Sequence, residues 1–168
     1  MESQRLLEIA ERLQALCIER DITVAVAESL TGGLIGATLT SVSGASEYFQ
    51  GGVISYSVDI KKRILGVDPS IIETYGVVSR ECAIAMAQGV QELCDTRASL
   101  AVTGEAGPGV GEKGVPVGTV WVAVCLDDVT ISQAFSFDGD RHTIREQTVA
   151  DTISLLSEVI LTHPCGTV

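Results

Sequence analysis

Ser29 stands in the run Glu28-Ser29-Leu30-Thr31-Gly32-Gly33, where a β-branched apolar stretch gives way to paired glycines and then to a second apolar stretch. A hydroxyl at a strand-to-helix turn lies near the free N–H groups of a helix N-terminus. Such groups can stabilise an oxyanion, so the placement suits acyl transfer. The same spacing also suits a plain helix cap by Ser29 or Thr31. A serine nucleophile needs a base, and the two histidines serve poorly: His142 falls in the first turn of the last predicted helix and His163 in the tail. Lysine is the remaining option, because burial or cationic neighbours depress its pKa until the neutral amine can take a proton. Lys61 follows Ser57 by four residues, close enough to a predicted strand end to reach a site built there. The run Lys61-Lys62-Arg63 also reads as a solvated basic turn.

Two further groups carry chemistry. The loop from Gly104 to Gly114 is rich in glycine, so its backbone amides can approach and cradle a phosphate, or it can be an ordinary mobile loop. It is not a Walker A loop, since no Ser or Thr follows Lys113. Arg141 and Arg145 lie four apart on a predicted helix and so share a face, which suits gripping a phosphate or carboxylate; pairing with Asp138 or Glu146 is the alternative. No clustering of His, Cys, Asp or Glu has metal-site spacing, and the expectation is chemistry without metal or cofactor.

The elements that must position these residues follow from periodicity. Residues 3–20 place Leu6, Ile9, Ala10, Leu13, Leu16 and Cys17 on one helical face. Residues 22–27 read as a buried strand, the glycines then opening a helix to about Val42, and residues 51–57 as a second strand. A basic helical segment over 59–65, a short helix after Asp68-Pro69 and a helix from the cap Ser79 to about Cys94 come next. Residues 98–103 and 118–125 are strand-like, Asp127-Asp128 suits a hairpin turn into a strand over 129–137, and Gly139-Asp140-Arg141 opens a last helix ended by Pro164 and Gly166. Early alternation of strands and helices with a late meander predicts an α/β fold, one domain over residues 1–168, with a mixed β-sheet covered by helices.

Composition narrows the partners. With 168 residues, 46% of them hydrophobic, one domain can bury a proper core. A formal charge of −11 disfavours nucleic acid, although a few basic residues at one cleft still admit a small phosphorylated substrate. Five widely spaced cysteines, Cys17, Cys82, Cys94, Cys125 and Cys165, suit a reducing compartment. No apolar run approaches the roughly 20 residues of a membrane span, and the first residues lack a signal-peptide layout, so a cytoplasmic location is expected. The glycine-rich loop and apolar meander leave room for a homo-oligomer.

Several runs, taken in order, resemble the C-terminal family of the competence/damage-inducible protein CinA: Ala27 to Gly33, Tyr48 to Ser57 with Lys61 following, Leu65-Gly66-Val67, Tyr75 to Ser79, Val102 to Gly109, Pro116 to Val120 and Gly139-Asp140-Arg141. The likeness extends over about residues 5–160. It implies hydrolysis of the carboxamide of nicotinamide mononucleotide to nicotinic acid mononucleotide and ammonia, by a Ser-Lys mechanism. Carried over, Ser29 is the nucleophile, Lys61 the general base and Tyr56 the tyrosine beside them. Thr103 and the loop with Gly107, Gly109 and Gly111 match the segment that touches substrate, as Arg141 and Arg145 match its arginines; the Ser29/Lys61 pairing itself suggests that N–H groups near Thr31, Gly32 and Gly33 hold the oxyanion. Family members stand alone or follow a larger N-terminal domain, and only the C-terminal type is present in this sequence.

Three positions depart from the family pattern. Leu30 stands where Cys is common and Val58 where Asn is common, which removes an amide near Lys61. Glu105 replaces a common Ile and puts a carboxylate beside the substrate loop, where it repels phosphate if it points inward and is harmless if it points outward. Two rivals follow: a non-catalytic module binding a pyridine nucleotide in competence or the damage response, and an amidase for another small amide.

Overall fold

A computed structural model describes residues 2–163. The predicted helix end at Pro164 and Gly166, and Cys165, lie outside the described residues.

Five strands, β1 (Val24–Glu28), β2 (Phe49–Ile54), β3 (Ala98–Gly104), β4 (Thr119–Leu126) and β5 (Val129–Ser136), form one mixed sheet in the order β2-β1-β3-β4-β5. β1 runs parallel to both β2 and β3, while β3-β4-β5 is an antiparallel meander. The helices are α1 (Glu2–Glu19), α2 (Leu34–Thr40), α3 (Val58–Arg63), α4 (Pro69–Tyr75), α5 (Arg80–Cys94) and α6 (Arg141–Thr162). This is the predicted α/β class, a mixed sheet covered on both faces.

Strand alternation assigns those faces. Val24 and Val26 of β1, Leu100 and Val102 of β3, and Val120, Val122 and Val124 of β4 join a core with Leu13 of α1, Leu39 of α2 and Ile153 of α6. The intervening residues are small: Ala25, Ala27, Ala101, Ala123 and Cys125 pack with Ala83, Met86, Ala87 and Val90 of α5. Such small side chains let α5 lie close to the sheet. Ser99, a polar member of that face, satisfies its hydroxyl on the Ala87 carbonyl at 2.7 Å.

Two strands are displaced by two residues or more from the expected bounds. The first strand begins at Val24 rather than residue 22, because Ile22 is used to close α1: its N–H bonds the Cys17 carbonyl at 2.9 Å across Asp21, whose φ is 52°. The second strand spans Phe49–Ile54 rather than 51–57, with an extra residue between the Val24 and Ala25 pairings. Gly52 is required there, since a Cβ would sit 2.1 Å from the Val26 carbonyl oxygen.

The connections explain where a site can form. From β1 the chain passes through α2 to β2, then returns through α3, α4 and α5 to β3 on the other flank of β1. The carboxyl end of β1 is therefore a switch point between two oppositely directed crossovers, the place where open α/β sheets leave a crevice. The ends of β2 and β3 lie at the same edge, and so does the start of α6, because β5 runs antiparallel to β4 and finishes opposite Thr119. Among the described residues no helix is long and apolar enough to cross a membrane.

Candidate active site

Ser29 is the first residue after β1, and Lys61 is the one buried residue of α3. Lys61 Nζ lies 2.9 Å from Ser29 Oγ and donates to the Ser55 carbonyl at 2.5 Å. Ser57 sets up this reach: its hydroxyl accepts the Ile60 N–H at 3.2 Å, starting α3 immediately beyond β2. Ser55 is fixed in turn by its N–H and hydroxyl, which both donate to the Glu28 carbonyl at 2.7 and 3.2 Å.

The basic run after Ser57 is thus divided. Arg63 is solvated and pairs with Asp59 at 3.2 Å, whereas Lys61 is 1% exposed and has no ion-pair partner among the described residues. Burial lowers the Lys61 pKa below the usual lysine value, the Cys82 thiol nearby pulling weakly the other way. The same burial pushes the Cys82 thiol up to about 11. A buried amine at hydrogen-bond distance from a hydroxyl can hold an unprotonated lone pair toward it, which is the condition for a general base.

The turn after Ser29 differs from the expectation in one respect. Neither Ser29 nor Thr31 caps α2; the N-cap is Gly33, with φ 101°, and the capping oxygen atoms come from Glu28. Its carboxylate accepts the N–H groups of Gly33, Ile35 and Gly36 at 2.9, 3.0 and 2.8 Å. The Gly32 N–H bonds the Ser29 carbonyl at 3.1 Å. The amides of Gly32 and Gly33 are thus engaged within the protein, and a buried carboxylate takes the helix N-terminus that was expected to face an oxyanion. Among the described residues the Leu30 and Thr31 amides have no protein acceptor. Thr31 itself is fully buried, its hydroxyl unpartnered.

A cavity of about 510 Å³ opens beside the dyad, lined by Ser29, Lys61, Leu30, Val58, Tyr56, Tyr75, Thr103, Glu105, Lys113 and Arg141 among others. Its volume falls within the range of small-molecule sites. Arg141 donates to the Gly107 carbonyl at 2.8 Å and to the Tyr56 hydroxyl at 3.1 Å, so α6, the loop after β3 and the segment after β2 meet at one point. The Thr103 hydroxyl donates to the Val77 carbonyl at 2.9 Å and fixes that wall.

Other expected substrate groups lie elsewhere. Gly107, Gly109 and Gly111 do not line the cavity; the flanks of their loop do. Arg145 is not on the cavity wall either: it donates to the Leu30 and Thr31 carbonyls at 3.0 and 2.8 Å. Neither arginine pairs with Asp138 or Glu146. Glu105 lines the cavity while its carboxylate accepts the Gly107 N–H at 3.0 Å, binding the loop to itself. Among the described residues no group of three or more His, Cys, Asp or Glu converges to hold a metal ion.

Sequence reasoning missed Glu28 and Ser55. An acidic residue ending a buried apolar run just before two glycines was the available signal for Glu28. Ser55 acts through its backbone carbonyl, for which no side-chain pattern exists.

Comparison with known proteins agrees with this architecture. The CinA C-terminal domain family model matches residues 6–160. A CinA-like protein of Fervidobacterium nodosum is 40% identical over 154 residues, 92% of this chain and 38% of its own length. Another, from Acidobacterium capsulatum, is 43% identical over 137 residues, 82% of this chain and 33% of its own length. The chain therefore spans less than two fifths of these curated relatives. Among solved structures, a competence-damaged protein (CinA) superfamily protein from Klebsiella pneumoniae gives a TM-score of 0.92 at 29% identity, covering 94% of this chain and 99% of that one. The competence/damage inducible protein CihA from Agrobacterium tumefaciens gives 0.88 at 34% identity, covering 92% and 95%. The match of family model and fold together places this chain in the CinA C-terminal domain family.

Proposed function

We propose that this chain hydrolyses the carboxamide of nicotinamide mononucleotide, giving nicotinic acid mononucleotide and ammonia. The observation that carries the reading is the 2.9 Å approach of a buried, unpaired Lys61 amine to the Ser29 hydroxyl at the floor of the cavity.

Neutral Lys61 takes the Ser29 proton as Oγ attacks the carboxamide carbon. The carbonyl π electrons move to oxygen, and the oxyanion is held by the Leu30 and Thr31 N–H groups, which have no protein acceptor among the described residues. Protonated Lys61 delivers its proton to the amide nitrogen, the C–N bond breaks, and ammonia leaves an ester on Ser29. Water then loses a proton to Lys61 and attacks the ester carbon. The C–Oγ bond breaks, the carboxylic acid departs, and the proton returns to Ser29. Tyr56 and Tyr75 offer flat faces to a cationic pyridine ring, and Arg141 with Lys113 offers positive charge to a phosphate.

The test is ammonia release from nicotinamide mononucleotide by purified, chelator-treated protein, with Ser29→Ala and Lys61→Ala beside it. Turnover by the wild type that both substitutions abolish, with folding intact, supports the scheme; undiminished turnover by Ser29→Ala sinks it. Glu105 on the cavity wall favours a second reading, in which the same dyad cleaves a different, unphosphorylated amide. A panel of carboxamides with and without phosphate separates the two, and nucleotide binding with no ammonia released from any of them marks a binding module instead.

A further inference from the structure

The turn that carries the nucleophile is gripped from two sides. Glu28 collects the N–H groups of Gly33, Ile35 and Gly36, and the Leu34 N–H bonds the Thr31 carbonyl at 3.1 Å. From α6, Arg145 brings Nε to the Leu30 carbonyl at 3.0 Å and a terminal nitrogen to the Thr31 carbonyl at 2.8 Å. No carboxylate pairs with it among the described residues, and its guanidinium is held by those two carbonyls.

A trans peptide points its N–H opposite to its C=O. Holding the Leu30 carbonyl on the guanidinium therefore turns the Thr31 N–H to the side away from Arg145. Among the described residues that N–H, like the neighbouring Ser29 and Leu30 N–H groups, has no protein acceptor, and Ser29 and Leu30 line the cavity whereas Arg145 does not.

Resting on the amidohydrolase reading above, we propose that Arg145 is a positioning residue for the oxyanion site: its fork fixes the plane of the Leu30–Thr31 peptide so that the Thr31 N–H faces the reacting carbonyl. Arg145 does not hold the substrate phosphate; Arg141, one turn earlier and on the cavity wall, is placed for that. A planar fork spanning two carbonyls sets a peptide plane as a single rotatable ammonium cannot.

The experiment compares the wild type with Arg145→Lys and Arg145→Met in two assays: steady-state ammonia release from nicotinamide mononucleotide, and the rate at which a small fluorophosphonate phosphonylates Ser29. The second needs nucleophile and oxyanion site but no nucleotide. Arg145→Lys keeps charge and stem, so it preserves the fold even where Arg145→Met does not; melting temperature and circular dichroism verify this. The expected result is a kcat loss of about 10²-fold, KM within about threefold, and a parallel loss in phosphonylation rate. A raised KM with kcat and phosphonylation at wild-type values overturns the proposal and makes Arg145 a substrate contact. Wild-type values throughout overturn it as well. A wild type that is phosphonylated at Ser29 but releases no ammonia refutes only the substrate reading, and the labelling comparison still decides for Arg145. A wild type that is not phosphonylated refutes both.

Discussion

Lys61 shows how burial turns an ordinary side chain into a reagent. In solution its ammonium would stay protonated through neutral pH; inside the protein, with the Ser55 carbonyl and Ser29 hydroxyl as its partners, the neutral form gains. As pH rises through the lowered pKa, kcat/KM for the amide rises and levels off, with a midpoint below the usual 10.5. A pH–rate profile checks this, and a midpoint at or above that value would remove Lys61 as the base. The same shift has a stability signature. Between the folded-state pKa and 10.5 the unfolded chain binds the extra proton, so stability increases with pH across that window. Urea melts of the wild type against Lys61→Met should show the wild type gaining on the variant as pH climbs toward 10.5, since groups common to both cancel. Arg141 is tested by substrate affinity. Arg141→Ala removes one charge-assisted contact and should raise KM for a phosphorylated substrate by about 10- to 100-fold, with a much smaller change for the dephosphorylated analogue.

Elements deliver these groups, and each has its own weak point. Glu28 joins β1 to α2 by taking three helix N–H groups into one buried carboxylate. Glu28→Ala strands those donors and should cost about 3–5 kcal/mol in denaturant unfolding, with Glu28→Gln costing less because its amide oxygen still accepts. A loss below 1 kcal/mol for the alanine variant would mean water replaces the carboxylate. Between α5 and the segment following α3, contact is closer still: a Cβ on Gly89 would lie 1.9 Å from the Leu65 carbonyl oxygen. Alanine in a helix interior ordinarily stabilises by about 1 kcal/mol relative to glycine. Gly89→Ala should instead destabilise by about 2–3 kcal/mol. Because the displaced segment follows directly on α3, which carries Lys61, turnover should fall with it.

At the scale of the whole molecule, the sheet is shared by two cores, the large aliphatic one under α1, α2 and α6 and the small-residue one under α5. Neither face can lose its helices without exposing the strands that serve the other. The chain by itself should unfold in one cooperative transition, so that fluorescence of its single tryptophan, Trp121 beside the α5 core, and far-UV circular dichroism give coincident urea curves. Separated curves would show that the α5 layer melts independently. The site depends on the same arrangement, since the ends of β1, β2 and β3 and the start of α6 meet only at one sheet edge.

Local pattern determined much of this. Apolar β-branched runs and period-3.6 apolar spacing marked the strands and helices, Asp68 and Ser79 announced their helices, and alternation of strand and helix gave the α/β class. The glycines after Ser29 marked a turn, and the absence of a well-placed histidine turned attention to lysine. What local pattern left open was every question of distance. Lys61 and Lys62 are adjacent letters of the same type, and only the docking of α3 beyond β2 buries the first and points it at Ser29, 32 residues away. Arg141 and Arg145 share a helix face, yet the tertiary structure sends one to the cavity and the other to the back of the Ser29 turn. Glu28 went unread for the same reason, because its partners are backbone amides, which every sequence possesses and which only a folded chain can aim.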